Sequence, residues 1–187
     1  MMDPSTIVAL GNSLTEGFGV APKDAYPVKL RDILAQQQVH CRMINAGISG
    51  DTCRGVLSRL HTIQPMAPDL VILEIGINDV LMGAMTERIQ AVIEEIVETL
   101  LSWNMVVALA GMELPPMGNE EIEQSFAALY RTVAETRDLP FIPGFTAPLW
   151  AEPGRVQYDG LHPNAAGYTA IVNHISPFVL KALERCA

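Results

Sequence analysis

Short runs of β-type residues alternate with longer segments of helical spacing, and this alternation constrains the fold more than any other feature. The runs predicted as strands are Thr6–Leu10, Val39–Asn45, Asp69–Ile75, Met105–Ala110 and Pro140–Ile142. The segments predicted as helices are Ala25–Gln37, Thr86–Trp103, Glu120–Thr136 and Asn164–Leu183. In Thr86–Trp103, for example, Ile89 and Ile93 belong to one apolar face, as in an amphipathic helix. We expect Asn119 to cap the third helix and Pro177 to bend the fourth.

Strands that alternate with helices of this length predict a parallel sheet with helices on both faces. The strands Asp69–Ile75 and Met105–Ala110 are apolar and β-branched, which is typical of burial on both sides. No Gly/Ser-rich linker divides the 187 residues. The sequence therefore predicts one three-layer α/β/α domain over residues 1–187, with a five-stranded parallel sheet. In such a sheet, ligands bind outside the carboxyl ends of the strands.

Composition and charge exclude several classes of function. The chain is 49% hydrophobic and 18% charged, which is ordinary for a folded globular domain. Its net charge of −9 repels phosphate backbones, so we expect no nucleic-acid partner. No uncharged apolar stretch approaches the ~20 residues of a membrane-spanning helix, so we expect no stable membrane anchor. Cys41, Cys53 and Cys186 lack CxxC spacing, which argues against a disulfide framework and a thiolate zinc site.

The amino-terminal segment lacks the pattern expected of a secretory signal peptide. Its first apolar run begins at Thr6 and is five residues long, which is short for the apolar part of a signal peptide. As it stands, the chain is expected to be cytoplasmic, or periplasmic or secreted if a leader was removed. The sequence gives no indication of its oligomeric state.

Reactive side chains follow four of the predicted strands. Ser13 comes just after the first strand, where its hydroxyl can point into the cleft. Gly50 follows the second strand and can expose its backbone N–H, while Asn78 follows the third and carries a side-chain amide. Asp159 and His162 follow the fifth strand, spaced so that the carboxylate can accept from one imidazole nitrogen. Together these groups supply the nucleophile, base, orienting acid and oxyanion donors of an acyl-transfer site.

Each segment alone also has a structural explanation. Ser13 can cap a helix, and Asp51 or Thr52 can cap the helix after the second strand. The nucleophile elbow G-x-S-x-G needs glycine where Thr15 stands. The glycines from Gly11 onward also lack the spacing of dinucleotide-binding and P-loop motifs, which argues against a flavodoxin-like nucleotide-binding protein.

In this order, the four segments resemble the blocks of the SGNH hydrolases, also called GDSL esterases and lipases. The matching blocks are Gly11-Asn12-Ser13-Leu14, Ser49-Gly50-Asp51-Thr52, Gly76-x-Asn78-Asp79 and Asp159-x-x-His162-Pro163. The resemblance covers nearly the whole chain, from Gly11 to Asn164. The amino-acid sequences of the second and last blocks are similar to those of the compact bacterial branch of the family, which contains thioesterases, lysophospholipases and arylesterases.

The resemblance implies a role for each matching residue. Ser13 would be the nucleophile, His162 the general base and Asp159 the acid that orients it. The oxyanion donors would be the N–H groups of Ser13 and Gly50 and the side-chain amide of Asn78. No metal ion or organic cofactor is implied.

Two positions depart from the family pattern. Asn12 stands where the family usually has Asp, and Ile77 stands where close relatives often have glycine. Asn12 keeps a carbonyl acceptor for the local backbone but carries no charge. We therefore expect it to support the turn of Ser13 without placing a carboxylate near His162.

The implied activity is hydrolysis of small-molecule carboxylic esters, and of thioesters, through an acyl-serine intermediate. A carbohydrate acetylesterase and a catalytically silent binding domain remain open as alternatives. The expected acyl groove is apolar and lies after the fourth and fifth strands. Its candidate residues are Leu114, Pro115, Met117, Phe145, Leu149 and Trp150.

Overall fold

The fold is built on one sheet, seen in a computed structural model that describes residues 5–116 and 118–186. Within these residues, five parallel strands are arranged in the order β2-β1-β3-β4-β5. They are β1 (Ser5–Gly11), β2 (Cys41–Gly47), β3 (Leu70–Glu74), β4 (Val106–Ala110) and β5 (Phe141–Ile142). The predicted α/β fold with a five-stranded parallel sheet is confirmed.

Helices cover both faces of this sheet. They are α1 (Ser13–Glu16), α2 (Tyr26–Gln36), α3 (Cys53–Arg59), α4 (Ile77–Leu81), α5 (Thr86–Ser102), α6 (Glu120–Thr136), α7 (Ala147–Ala151) and α8 (Ala165–Leu183). Helix α2 packs against α8, while α5 packs against α3 and α6. Right-handed crossovers place α2 and α8 on one face of the sheet and α3, α5 and α6 on the other. The reason is that the chain moves from β1 to β2 in one direction across the sheet, and from β2 to β3, β4 and β5 in the opposite direction.

The long helices lie close to their predicted bounds. Helix α6 begins after Asn119, whose Oδ1 accepts a hydrogen bond from the N–H of Ile122 at 3.2 Å. Helix α8 continues through Pro177. The start of β2 was predicted too early, because Val39 donates its N–H to the carbonyl of Leu34 and so closes α2 instead of entering the sheet.

The strand β3 shows why both faces of the sheet are covered. All five of its residues are buried, including Glu74 at its carboxyl end. Gly11 at the end of β1 lies beside both Gly47 of β2 and Glu74 of β3. The residues that follow these three strands therefore meet at one edge of the sheet. In the part of the chain that the structure describes, no helix is both long and apolar enough to span a membrane.

Candidate active site

Ser13 is the first residue of the short helix α1, two residues after the end of the interior strand β1. Asn12 caps this helix, and its Oδ1 accepts a hydrogen bond from the N–H of Leu14 at 2.9 Å. This is the backbone role expected for Asn12 from the sequence. Ser13 is only 6% exposed, so its hydroxyl is held within the cleft and not on the open surface.

His162 reaches Ser13 from a loop shaped like a small hairpin. Val156 and Pro163 form an isolated antiparallel bridge, and the N–H of Gln157 donates to the carbonyl of His162 at 2.7 Å. These bonds fix the backbone around the imidazole. The Nε2 of His162 then lies 2.9 Å from the Oγ of Ser13, although the two residues are 149 positions apart in the chain.

Asp159 binds the other nitrogen of the same imidazole. Its Oδ2 lies 2.7 Å from Nδ1 of His162, while its Oδ1 accepts from the N–H groups of Leu161 and His162 at 2.9 and 3.0 Å. Partial burial acts to raise the pKa of Asp159, but these hydrogen bonds outweigh it and hold the pKa below its ordinary value. An ionised Asp159 accepts the Nδ1–H and leaves the Nε2 lone pair to face the Ser13 hydroxyl.

The two other candidate oxyanion donors lie at the ends of the neighbouring strands. Asn78 is in α4, after β3, and one of its amide N–H bonds donates to the carbonyl of Asp51 at 2.7 Å. Among residues 5–116 and 118–186, the second N–H of this amide has no hydrogen-bond acceptor. Gly50, after β2, is exposed and adopts φ +79°, a left-handed conformation that favours glycine.

A partly buried network of hydrogen bonds joins the segments of Gly50 and Asn78 to the turn that carries Ser13. The Nε of Arg59 donates to Oδ2 of Asp51 at 2.7 Å, and its Nη2 donates to the carbonyl of Gly11 at 3.1 Å. The N–H of Cys53 donates to Oδ2 of Asp79 at 2.9 Å. The sequence reasoning missed Arg59, because one arginine on a short helix carries no motif.

An aromatic ring lies against the imidazole. The ring of Phe18 is 4.6 Å from that of His162, tilted by 42°, and Phe18 is 47% exposed. The Nε2 of Gln157 donates to the carbonyls of Phe18 and Pro163 at 2.7 and 2.9 Å, which ties the loop after α1 to the loop of His162. The sequence reasoning assigned no role to Phe18 or Gln157.

The predicted acyl groove needs correction. Phe145 is fully buried, and its ring packs edge-on against Tyr26 with centroids 5.2 Å apart. The prediction that Phe145 lines an open groove is therefore wrong, since its side chain belongs to the core. Leu149 and Leu114 are buried as well.

Two of the other groove candidates keep some accessible surface. Pro115 and Trp150 are partly buried, and Trp150 packs against the hydrophobic core. Met117 lies outside the residues that the structure describes.

Comparisons with known proteins match the chain to one family. The GDSL-like lipase/acylhydrolase family matches residues 9–170. The chain is 31% identical over 160 residues to thioesterase 1/protease 1/lysophospholipase L1 of Escherichia coli strain K12, covering 85% of this chain and 76% of the relative.

Solved structures of similar proteins share the whole fold. The crystal structure of TesA superposes with a TM-score of 0.90 at 27% identity, covering 95% of this chain and 99% of that one. The psychrotrophic esterase EstA from Pseudoalteromonas sp. superposes with a TM-score of 0.88 at 26% identity, covering 96% and 99%. Because the family match spans most of the sequence, the resemblance found in the four blocks is confirmed, and the chain belongs to the GDSL-like lipase/acylhydrolase family.

Proposed function

We propose that this protein is a serine esterase that cleaves carboxylic esters and thioesters through an acyl-Ser13 intermediate. The observation that carries this proposal is the unbroken hydrogen-bonded chain from Ser13 through His162 to Asp159, with links of 2.9 and 2.7 Å. A nucleophile, its base and the orienter of that base within hydrogen-bond reach are the geometric signature of covalent acyl transfer.

Acylation begins when the Oγ of Ser13 attacks the carbonyl carbon of the substrate. Nε2 of His162 takes the hydroxyl proton, and Asp159 stabilises the imidazolium that forms. The negative charge moves to the carbonyl oxygen, where the N–H groups of Ser13 and Gly50 and the free amide N–H of Asn78 serve as donors. His162 then gives its proton to the leaving alcohol or thiol as the bond to the acyl carbon breaks.

Deacylation follows the same steps with water. His162 removes a proton from the attacking water, whose oxygen bonds to the acyl carbon. The tetrahedral intermediate collapses with release of the carboxylic acid, and the proton returns from His162 to the Oγ of Ser13. The bond between His162 and Asp159 is kept throughout, so the imidazole stays in place for both halves of the reaction.

Apolar side chains near the site favour a substrate with an apolar acyl or alcohol group. Phe18 lies against His162, Ile48 precedes the turn of Gly50, and Leu81 and Met82 follow Asn78 at the end of α4; all four are exposed. The names of relatives point to the same class, since the Escherichia coli protein is called a thioesterase and lysophospholipase. We therefore place small acyl esters and thioesters ahead of acetylated carbohydrates.

Labelling with a fluorophosphonate probe tests the nucleophile directly. The structure of the related EstA is described as inhibited by monoethylphosphonate, so this probe chemistry suits the fold. We expect the wild-type protein and a Ser102→Ala control to be labelled at Ser13 and to hydrolyse p-nitrophenyl esters. A folded Ser13→Ala variant should do neither. Normal turnover by Ser13→Ala, or labelling at another serine, would overturn the proposed mechanism.

A substrate series separates the esterase from its alternatives. Hydrolysis rates would be compared for p-nitrophenyl esters and acyl-CoAs of increasing chain length and for acetylated sugars. The proposal expects faster hydrolysis of the apolar acyl substrates than of the sugars. A preference for acetylated sugars would identify a carbohydrate esterase, and a protein inert to all substrates and to the phosphonate would be a binding domain.

A further inference from the structure

Glu74 is a fully buried acid that the proposed mechanism does not use. It ends β3 with an exposure of 0%, one strand away from the nucleophile turn. Removing a carboxyl group from water costs free energy unless other groups bind it. No Lys, Arg or His among residues 5–116 and 118–186 forms an ion pair with Glu74. The groups that do bind it therefore indicate what it does.

Both oxygens of this carboxyl bind side chains that flank Ser13. Oε1 accepts a hydrogen bond from Nδ2 of Asn12 at 3.0 Å, and Oε2 accepts one from Oγ1 of Thr15 at 2.7 Å. The space between Gly11, Thr15 and Glu74 is tightly packed. A Cβ atom added to Gly11 would lie only 2.7 Å from Oε2 of Glu74 and 2.2 Å from Oγ1 of Thr15. The carboxyl group thus spans the nucleophile turn from the residue before Ser13 to the second residue after it.

We propose that Glu74 is a positioning residue, whose carboxyl group holds the turn of Ser13 by binding Asn12 and Thr15 together. This inference rests on the proposed function, in which Ser13 is the nucleophile. A helix of one turn, such as α1, is not stable by itself, so tertiary bonds have to set its geometry. The two bonds of Glu74 are the side-chain bonds that tie Asn12 and Thr15 to the neighbouring strand.

Glu74 also fixes which way the amide of Asn12 faces. The amide has one accepting end and one donating end. Because Nδ2 is directed to Glu74, Oδ1 is left to accept from the N–H of Leu14 at 2.9 Å and so to cap α1. Without the carboxyl group, the amide loses the partner that sets this orientation, and the cap of the helix that carries Ser13 loosens.

The buried surroundings of Glu74 favour its neutral form. Burial raises the pKa of Glu74 to about 8, although the hydrogen bonds from Thr15 and Asn12 act to lower it. In the structure, Oε1 accepts from Nδ2 of Asn12 and Oε2 accepts from the hydroxyl of Thr15. In the acid form, Oε1 still accepts from Asn12, while a proton on Oε2 reverses the second bond, so that the acid O–H donates to Oγ1 of Thr15. A glutamine can make the same two bonds with its carbonyl oxygen and its amide N–H. The positioning role therefore needs the hydrogen bonds of this side chain and not its charge.

Three variants of the full-length protein test the role. Glu74→Leu keeps the approximate volume and removes both bonds, Glu74→Gln keeps both, and Val97→Ala is a control that removes buried surface on α5, away from Ser13. The kcat and KM for p-nitrophenyl acetate, the rate of fluorophosphonate labelling and Tm would be measured for each. Because small misplacements of reacting groups cost on the order of 100-fold in rate, we expect Glu74→Leu to lose about that factor in kcat with KM changed less than threefold. Glu74→Gln should stay within tenfold of the wild-type kcat.

The outcomes separate positioning from stability. If Glu74→Leu is folded and its kcat matches that of a Val97→Ala protein with similar Tm, Glu74 is only structural and the proposal is overturned. If Glu74→Gln is as slow as Glu74→Leu, the hydrogen bonds are not what matters, and the proposal fails again. Should Glu74→Leu not fold, Thr15→Val removes one bond and Thr15→Ser retains it. Equal kcat values for these two variants would overturn the proposal.

The same labelling experiment keeps this inference apart from the proposed function. If wild-type Ser13 is not labelled and Ser13→Ala remains active, the mechanism itself fails, whatever the Glu74 variants do. If wild-type Ser13 is labelled and Glu74→Leu reacts at the wild-type rate, the esterase proposal stands and only the positioning role is lost.

Discussion

Replacing Glu74 by glutamine should make the folded protein more stable, and the gain should grow with pH. The substitution preserves the two hydrogen bonds to Asn12 and Thr15 but removes a group that can ionise inside the core. At low pH, both proteins carry a neutral side chain at this position. At high pH, only the wild-type protein holds a buried carboxylate, whose hydration has been lost on folding.

The size and the pH dependence of this stability gain follow from the pKa of Glu74. Burial raises it from 4.5 to about 8, so between these values the folded state keeps a proton that the unfolded chain has released. The free energy of unfolding of the wild-type protein therefore falls as pH rises from 4.5 to 8, and this contribution is constant outside that window. Each pH unit between these two pKa values changes the free energy of unfolding by about 1.36 kcal/mol. The free energy of unfolding of the wild-type protein therefore falls by ~5 kcal/mol between pH 4.5 and 8.

Urea unfolding followed by circular dichroism, at several pH values between 5 and 9, measures this difference. Titration of all other groups is common to both proteins and cancels when the variant is compared with the wild type. Glu95→Gln, at an exposed position on α5, is the matched control and should show no comparable slope. A difference between Glu74→Gln and the wild type that stays constant from pH 5 to 8, or that shrinks as pH rises, would refute the reasoning.

Three further substitutions test the site itself. Asn78→Ala should lower kcat by about 10²- to 10³-fold with little change in KM, because an oxyanion donor acts mainly on the transition state; an effect on KM alone would mean that Asn78 only binds substrate. Asp159→Asn should lower kcat by on the order of 10⁴-fold, since His162 loses the acceptor that fixes its tautomer; retention of most of the rate would mean that another acid orients the imidazole. Asn12→Asp should be active near neutral pH, but its Tm should fall below that of the wild type as pH rises, because two carboxyl groups about 3 Å apart must share a proton. Parallel curves of Tm against pH for Asn12→Asp and the wild type would contradict this expectation.

The sequence was sufficient for the sheet and the long helices because their patterns extend over many residues. The apolar face of Thr86–Ser102 and the cap at Asn119 are local signals that survive in the folded protein. The bounds of the short helices α1, α3, α4 and α7 were not predicted, since segments of four to seven residues are too brief to show periodicity. Their positions depend on tertiary hydrogen bonds, such as the bond from Cys53 to Asp79.

Site residues were easier to find from the sequence than the surfaces around them. Each block follows a strand, so the topology alone places Ser13, Asn78 and His162 at one edge of the sheet. Phe145 was misplaced, because an apolar residue after the last strand can face the core or the cleft, and the sequence does not give its direction.

The sequence does contain a feature that indicates a special role for Glu74. It is the one acidic residue inside the run Leu70–Glu74, in a strand predicted to be buried on both faces. An acid in such a place requires partners.

Asn12 and Glu74 are best understood as one arrangement. An aspartate at position 12 could still accept from the N–H of Leu14, but its second oxygen would face Oε1 of Glu74, where the structure has a donor at 3.0 Å. Two buried carboxyl groups at that distance cannot both ionise, so one would have to keep a proton. With asparagine, both ends of the side chain are paired, and Glu74 keeps its bond with the Thr15 hydroxyl, which donates to Oε2 in the structure and can accept from the acid form. Near neutral pH, the turn that carries Ser13 is thus held by hydrogen bonds without a buried charge behind the nucleophile. An aspartate at position 12 could therefore share this turn with Glu74 only if the pair of carboxyl groups bound at least one proton between them.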